Sequence, residues 1–478
     1  MPQDSFKNPS IPSNDGSMVG KLIKFVKNNV AMVPNFKNIA FAVLSGFLLV
    51  SCGPSDFDSR DEYPPIFPDY VGVTVPEGMA RLTFRMADGR SFKESREVSD
   101  GVEWVTVSAW KKGDKRGVTY KPFPIYRSQD PIDPYIVYRL IAPGYQSWPS
   151  VSITQRELAS YKETDIVFSQ AGSVTGCMNC HTFYKGDPSR MILHARGPGG
   201  GTVFVDGDNV RLQNIATLGP KRQGTYPAWH PGGRYIAFST NNTHQSFTIS
   251  DRQPIEVYDT RSDMILMDLQ TDSVYTCPAM LGEESLETFP AWSEDGKTLY
   301  YCSADNVEEI VNNRGQVHYR LMSIGFEDGR FVGEPQLVWE DPDGSVSFPR
   351  VRDGRILFTR SSFGTFPIWH KEADLWMLDL STGEAAPVDE LNSDDTESYH
   401  SWSSEGRWIV FSSRRIDGRY TRLYLAHYAG NGHFDKPFLL PQKDPSHNDL
   451  RLESYNVPDF IRSESPVRQK EISKLFAK

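Results

Sequence analysis

The chain is short of positive charge, of long apolar runs and of cysteine, and each shortage closes off a class of function. Lysine and arginine number 51 against 61 aspartates and glutamates, a net charge of −10. Nothing therefore supplies the cationic footprint that nucleic-acid phosphates require. The apolar stretch at residues 39–50 has 12 residues, well short of the roughly 20 that a membrane-spanning helix needs. Nucleophile elbows, phosphate loops, metal-protease helices and paired catalytic acids are also missing. Cysteine occurs only five times in 478 residues, so two cysteines three apart with a histidine directly after them call for an explanation.

The amino terminus explains one cysteine. Lys37 precedes the apolar run, which ends Leu49-Val50-Ser51-Cys52 and passes into the polar "GPSDFDSRDE". A run of this length suits the core of a secretory signal. "LVSC" resembles a bacterial lipobox, which implies that Cys52 is acylated, becomes the mature amino terminus and anchors the chain to a membrane. Residues 1–51 hold five lysines and two aspartates, so the mature chain carries −10 − 3 = −13. It is expected to be an exported, acidic lipoprotein, on the periplasmic face or the surface of an outer membrane.

Four cysteines remain, at 177, 180, 277 and 302. In "GCMNCHTF" the spacing Cys177-x-x-Cys180-His181 suits covalent haem attachment. Two thiols add across the vinyl groups of one haem, and the adjacent imidazole reaches the iron. Such a string arises by chance in about one chain in a thousand of this cysteine and histidine content. Its rivals are a disulfide and a zinc half-site. A redox dithiol wants a βαβ neighbourhood and a zinc site a second ligand pair, and neither is evident. The expected cofactor is one covalent haem c on Cys177 and Cys180, with His181 as proximal iron ligand. For the distal position His194, flanked by arginines that could meet the haem propionates, is preferred to Met191, whose alternation with Leu193 suggests core. His230 and His244 are reserves.

Downstream, "TYPAWHPGGRYIAFST" from Thr225, "TFPAWSEDGKTLYYCSA" from Thr288, "SFPRVRDGRILFTRSS" from Ser347 and "SYHSWSSEGRWIVFSSRR" from Ser398 align, with a shorter "SYNVPDFI" from Ser454. Successive starts differ by 63, 59, 51 and 56 residues, a period that marks the four-stranded blades of a β-propeller. Trp229, Trp292 and Trp402 read as blade packing, and Cys277 and Cys302 as buried thiols. "PAWSEDGKTLYY" resembles the WD-like repeats of TolB-type propellers across residues 190–460. With the cysteine trio added, the chain is similar to cytochrome-linked propeller lipoproteins of Bacteroides-like bacteria. The resemblance implies a fold more than an activity.

The expected fold is mostly β. A leader at 1–51 and a linker at 52–64 precede a small β-sandwich-like domain at 65–165 and a haem-attachment segment at 166–189. A propeller at 190–460 and a polar tail at 461–478 follow. Five blades are favoured and six are possible, the last carboxy-terminal strand closing the ring with strands from 190–215. The expected function is electron transfer to or from a redox protein docked on the propeller. The alternative is a TolB-like binding or scaffold lipoprotein, with a structural haem or none.

Overall fold

Strands such as Trp408–Ser413 (WIVFSS) and Arg355–Ser361 (RILFTRS) carry apolar or small residues at nearly every position and are buried on both faces. A strand is enclosed this way when its sheet is sandwiched between two others. In the computed structural model, which describes residues 53–142, 151–169, 178–196, 199–218, 223–247 and 255–476, these sheets are the blades of a propeller.

There are six blades. Blade 1 holds Met178–Phe183, Arg190–Ala195, Gly201–Asp206 and Asn209–Gln213, in that order outward from the axis. Blades 2 to 5 follow, with inner strands Thr225–Trp229, Ser285–Trp292, Ser345–Arg352 and Glu397–Trp402. Blade 6 is composite. Its inner strand is the carboxy-terminal Ser454–Ile461, and its outer strands are Tyr135–Ile141, Ser152–Glu157 and Glu163–Phe168. Tyr455 pairs with Leu140 and Phe460 with Ile136, so the first and last strands of the propeller are stitched together and the inner edge of that sheet is covered.

Six blades, the larger of the two counts expected, follow from one strand. "MNCHTF" is itself an inner strand, so residues 190–213 already have an inner partner and do not need the carboxy terminus. The closing strand instead takes residues 135–168, which read as part of the amino-terminal block. The remaining amino-terminal strands form a six-stranded sheet and a two-stranded one. Even the presumed linker contributes, because Asp56–Arg60 pairs with Arg116–Tyr120 in parallel. This domain shares one core with blades 5 and 6, including Tyr70, Phe123, Trp408 and Phe438. Trp408 Nε1 donates to the Asp130 carbonyl at 3.1 Å, and Asp130 meets His427 at 2.7 Å and Arg407 at 2.8 Å. The carboxy-terminal segment is not a polar tail. It forms a helix, Gln469–Leu475, whose Ile472 is buried in the core between blades 6 and 1.

Each inner strand carries a bulge at the same place. Cys180, Tyr226, Phe289, Phe348, Tyr399 and Val457 all have φ between 49° and 53°, and the strand register slips at each. Positive φ is unusual for non-glycine residues, and a β-branched valine tolerates it least. An extra residue there bends the strand and turns its side chain out of the ladder. Aligned on the bulge, Asn179-Cys180-His181-Thr182-Phe183 matches Thr225-Tyr226-Pro227-Ala228-Trp229 and Ser398-Tyr399-His400-Ser401-Trp402 residue for residue.

Candidate functional site

The bulge residues meet around the axis. Ring centroids of Tyr226 and Phe289 lie 4.5 Å apart, Phe289 and Phe348 4.0 Å, and Phe348 and Tyr399 4.9 Å. Four aromatic rings thus plug the axis, and the half-buried Cys180 stands in the same ring of positions. Burial pushes the Tyr226 and Tyr399 phenols up, Tyr399 to about 12, and the neighbouring Cys180 adds to the shift at both. The thiol of the cysteine trio that the structure describes therefore stands at the axis, level with the bulges of the other inner strands, which begin at its upper end. Cys177 and Cys52 lie outside the described residues.

His181 occupies the position that is proline in blades 2, 3, 4 and 6 and His400 in blade 5. Both imidazoles are packed between blades, and burial lowers each to a pKa of about 3. Their hydrogen bonding differs. His400 Nε2 donates to the Leu357 carbonyl at 2.9 Å. The corresponding carbonyl at His181 is Val137, which interacts with the ring and opposes the effect of burial, but neither nitrogen meets it in full hydrogen-bond geometry although the side chain is only 3% exposed. Burial is the main cause of the depressed pKa at His181, and the charge of Arg139 deepens it.

The proposed distal ligands are not brought together with His181. Asn179 pairs with His194 across the sheet, and His194 Nδ1 lies 3.4 Å from Thr202 Oγ1. Ile192, two residues before His194, packs with Ile236 and Phe238 of blade 2. His181 instead faces Val137 and Arg139 of blade 6. The two histidines therefore lie on opposite faces of one sheet. Met191 is on the His181 side, opposite Phe183 and fully buried with Leu193 and Val137. Of the arginines flanking this strand, Arg190 is at the lower end, bonded to the Gly233 carbonyl and paired with Asp206, while Arg196 is at the upper end. His230 binds the turns below blades 2 and 3 through Gly232 and Gly296. His244 stacks on Tyr258 in blade 2. Cys277 and Cys302 are not bridged.

Two features were not read from the sequence. The residue two beyond each bulge is small in blades 1, 2, 3 and 5 but Arg350 in blade 4 and Asp459 in blade 6. Burial raises Asp459 to about 7, against the lowering charge of Arg350. Aligning the short "SYNVPDFI" with its siblings would have exposed this substitution. The second feature is the hairpin Tyr235–Phe247 and Ile255–Asp268, with strands of 13 and 14 residues. It projects beyond the upper end and carries Glu256 to His370 of blade 4, 3.2 Å away, while Glu372 lies 3.3 Å from the other ring nitrogen. Burial would depress His370, but bonds to the two carboxylates outweigh it and raise the pKa to about 9.

No protein-family model matches the chain, and no curated protein does. Among solved structures it is similar to the tricorn protease, at 12% identity and a TM-score of 0.36 over 81% of this chain. It spans only 35% of that protein's length. It is also similar to a hypothetical selenium-binding protein from Sulfolobus tokodaii, at 9% identity and a TM-score of 0.43, covering 71% of this chain and 96% of that one. The periplasmic gluconolactonase of Pseudomonas aeruginosa gives 12% and 0.35, over 68% and 99%. Likenesses this distant say nothing about activity.

Proposed function

We propose that the chain is an exported, lipid-anchored c-type cytochrome that carries one haem at the upper end of its propeller axis. Cys177 and Cys180 hold the haem covalently, His181 supplies the proximal iron ligand, and Cys52 carries the lipid. Haem there supplies a one-electron couple, and the upper face of the ring offers a redox protein a place to dock. The observation that carries this reading is the departure of blade 1 from its siblings. Where four other blades place an aromatic ring it has a thiol, and its histidine meets the Val137 carbonyl outside the geometry of the bond that the equivalent His400 makes with Leu357. The fit to a haem rests on that imidazole, which has no well-formed hydrogen bond, standing beside a cysteine.

A second reading keeps a specific observation of its own. His181 matches the histidine or proline of every sibling strand, so it has a packing role independent of any iron. On that reading the chain is a binding or scaffold lipoprotein of TolB type, and Cys177 and Cys180 pair as a disulfide. Haem staining of a denaturing gel separates the two. The cytochrome reading predicts staining of the exported protein that is lost in Cys177→Ala/Cys180→Ala. Wild-type protein that never stains, exported from cells competent in haem attachment, supports the scaffold.

A further inference from the structure

Nearly every half-buried arginine of the described structure is spoken for. Arg360 meets Asp341 at 2.7 Å, Arg407 meets Asp130 at 2.8 Å and Arg415 meets Glu397 at 2.9 Å. Arg139 and Arg196 differ. Among the described residues neither makes an ion pair or a hydrogen bond, and Arg139 Nε is enclosed without an acceptor. In an acidic protein this is unusual, because buried charge is ordinarily paired.

Their places in the fold are complementary. Arg139 lies in the second strand of blade 6, opposite Asn456. Val137, two residues earlier on the same face, packs with Met178 and Met191 of blade 1, so Arg139 points towards blade 1. Its charge is felt at both His181 and Tyr399. Arg196 follows Ala195 at the upper end of the second strand of blade 1, and its charge is felt at His194, Tyr226 and Asp259. The two guanidiniums therefore flank the inner strand that bears Cys180, one on each side, at the upper end of the axis. Asp259 does not neutralise Arg196 by contact. Its carboxylate is occupied by Asn241 at 2.8 Å and Thr243 at 2.6 Å.

We propose that Arg139 and Arg196 form a clamp for a pair of carboxylates at the upper end of the axis. Guanidinium forks suit carboxylates in geometry and charge. Resting on the cytochrome reading, the pair is the two haem propionates, and the same chemistry would take a free dicarboxylate. The clamp also explains why blade 6, assembled from the two ends of the chain, adjoins the cysteine strand. Ring closure brings Arg139 to it.

The test uses full-length Cys177→Ala/Cys180→Ala protein, free of covalent haem, titrated with haemin and with haemin dimethyl ester, whose carboxylates are masked. The clamp predicts that haemin binds at least about tenfold more tightly, and that Arg139→Gln/Arg196→Gln removes the preference. The ester comparison leaves both arginines native, so it stands even if the arginine variants fold poorly. Equal binding of haemin and ester overturns the clamp and leaves the haem reading intact. If neither binds, labelling of the wild type with phenylglyoxal decides, read peptide by peptide with and without succinate. Protection of both arginines by succinate supports a clamp for a free dicarboxylate and removes the haem. No protection overturns the clamp.

Discussion

At the scale of single residues, the pair His181 and His400 separates chemistry from packing. They occupy equivalent positions, but only His400 meets its carbonyl in full hydrogen-bond geometry, His181 facing that of Val137 less favourably. His400→Ala should cost about 1–3 kcal/mol of stability, measured by denaturant unfolding, and leave any visible spectrum unchanged. His181→Ala should alter the spectrum of the haem-loaded protein. His194→Ala should not, because His194 faces blade 2, and a shift from low to high spin in that variant would contradict the geometry. Asp459 offers a test by titration. Its folded pKa of about 7 exceeds the ordinary 3.8, so the folded chain holds this proton more tightly than the unfolded chain does. The associated stability is fully present below 3.8 and is lost as pH rises through about 7. Asp459→Asn, neutral throughout, should flatten that part of the profile in denaturant midpoints taken from pH 4 to 7.5.

At the scale of elements, the inner strand decides what could be read in advance. Four repeats were legible because proline, tryptophan and a glycine turn recur in them. The strand "NCHTF" was not, since cysteine, histidine and phenylalanine replace the aromatic, proline and tryptophan that made the others visible. What it shares with them is a bulge at positive φ, a property of backbone rather than of residue type. Its motif reads as a haem-attachment segment, which is why the sequence favours five blades and holds six possible. The cysteine trio stands out in the sequence, but the setting of Cys180 at the axis and the flanking Arg139 depend on ring closure between distant segments. The long hairpin of blade 2 carries its own prediction. His370 is raised from 6.5 to about 9, so its tie to Glu256 is fully present below pH 6.5 and is lost as pH rises through 9. Hydrogen exchange should quicken in strands Tyr235–Phe247 and Ile255–Asp268 above that pH. His370→Ala, breaking a buried pair worth about 3 kcal/mol, should reproduce the effect at neutral pH.

At the scale of the whole molecule, closure by the chain ends is what holds six blades in a ring. Deleting residues 454–478 removes the inner strand of blade 6, exposing a strand edge, and the helix that packs on the outer strands of blades 6 and 1. The truncated protein should lose its cooperative thermal transition and aggregate, while truncation at 463 should retain the transition at reduced stability. A ring closed this way leaves blade 1, with Cys180, beside the join, and the central claim is that Cys177 and Cys180 carry haem. The most direct measurement is the mass of the proteolytic peptide containing Cys177, Cys180 and His181, prepared from protein exported by cells competent in c-type attachment. A peptide heavier by one haem, bound through two thioethers, is the predicted result. The same peptide with two free thiols, or lighter by two hydrogens as a disulfide, would contradict it.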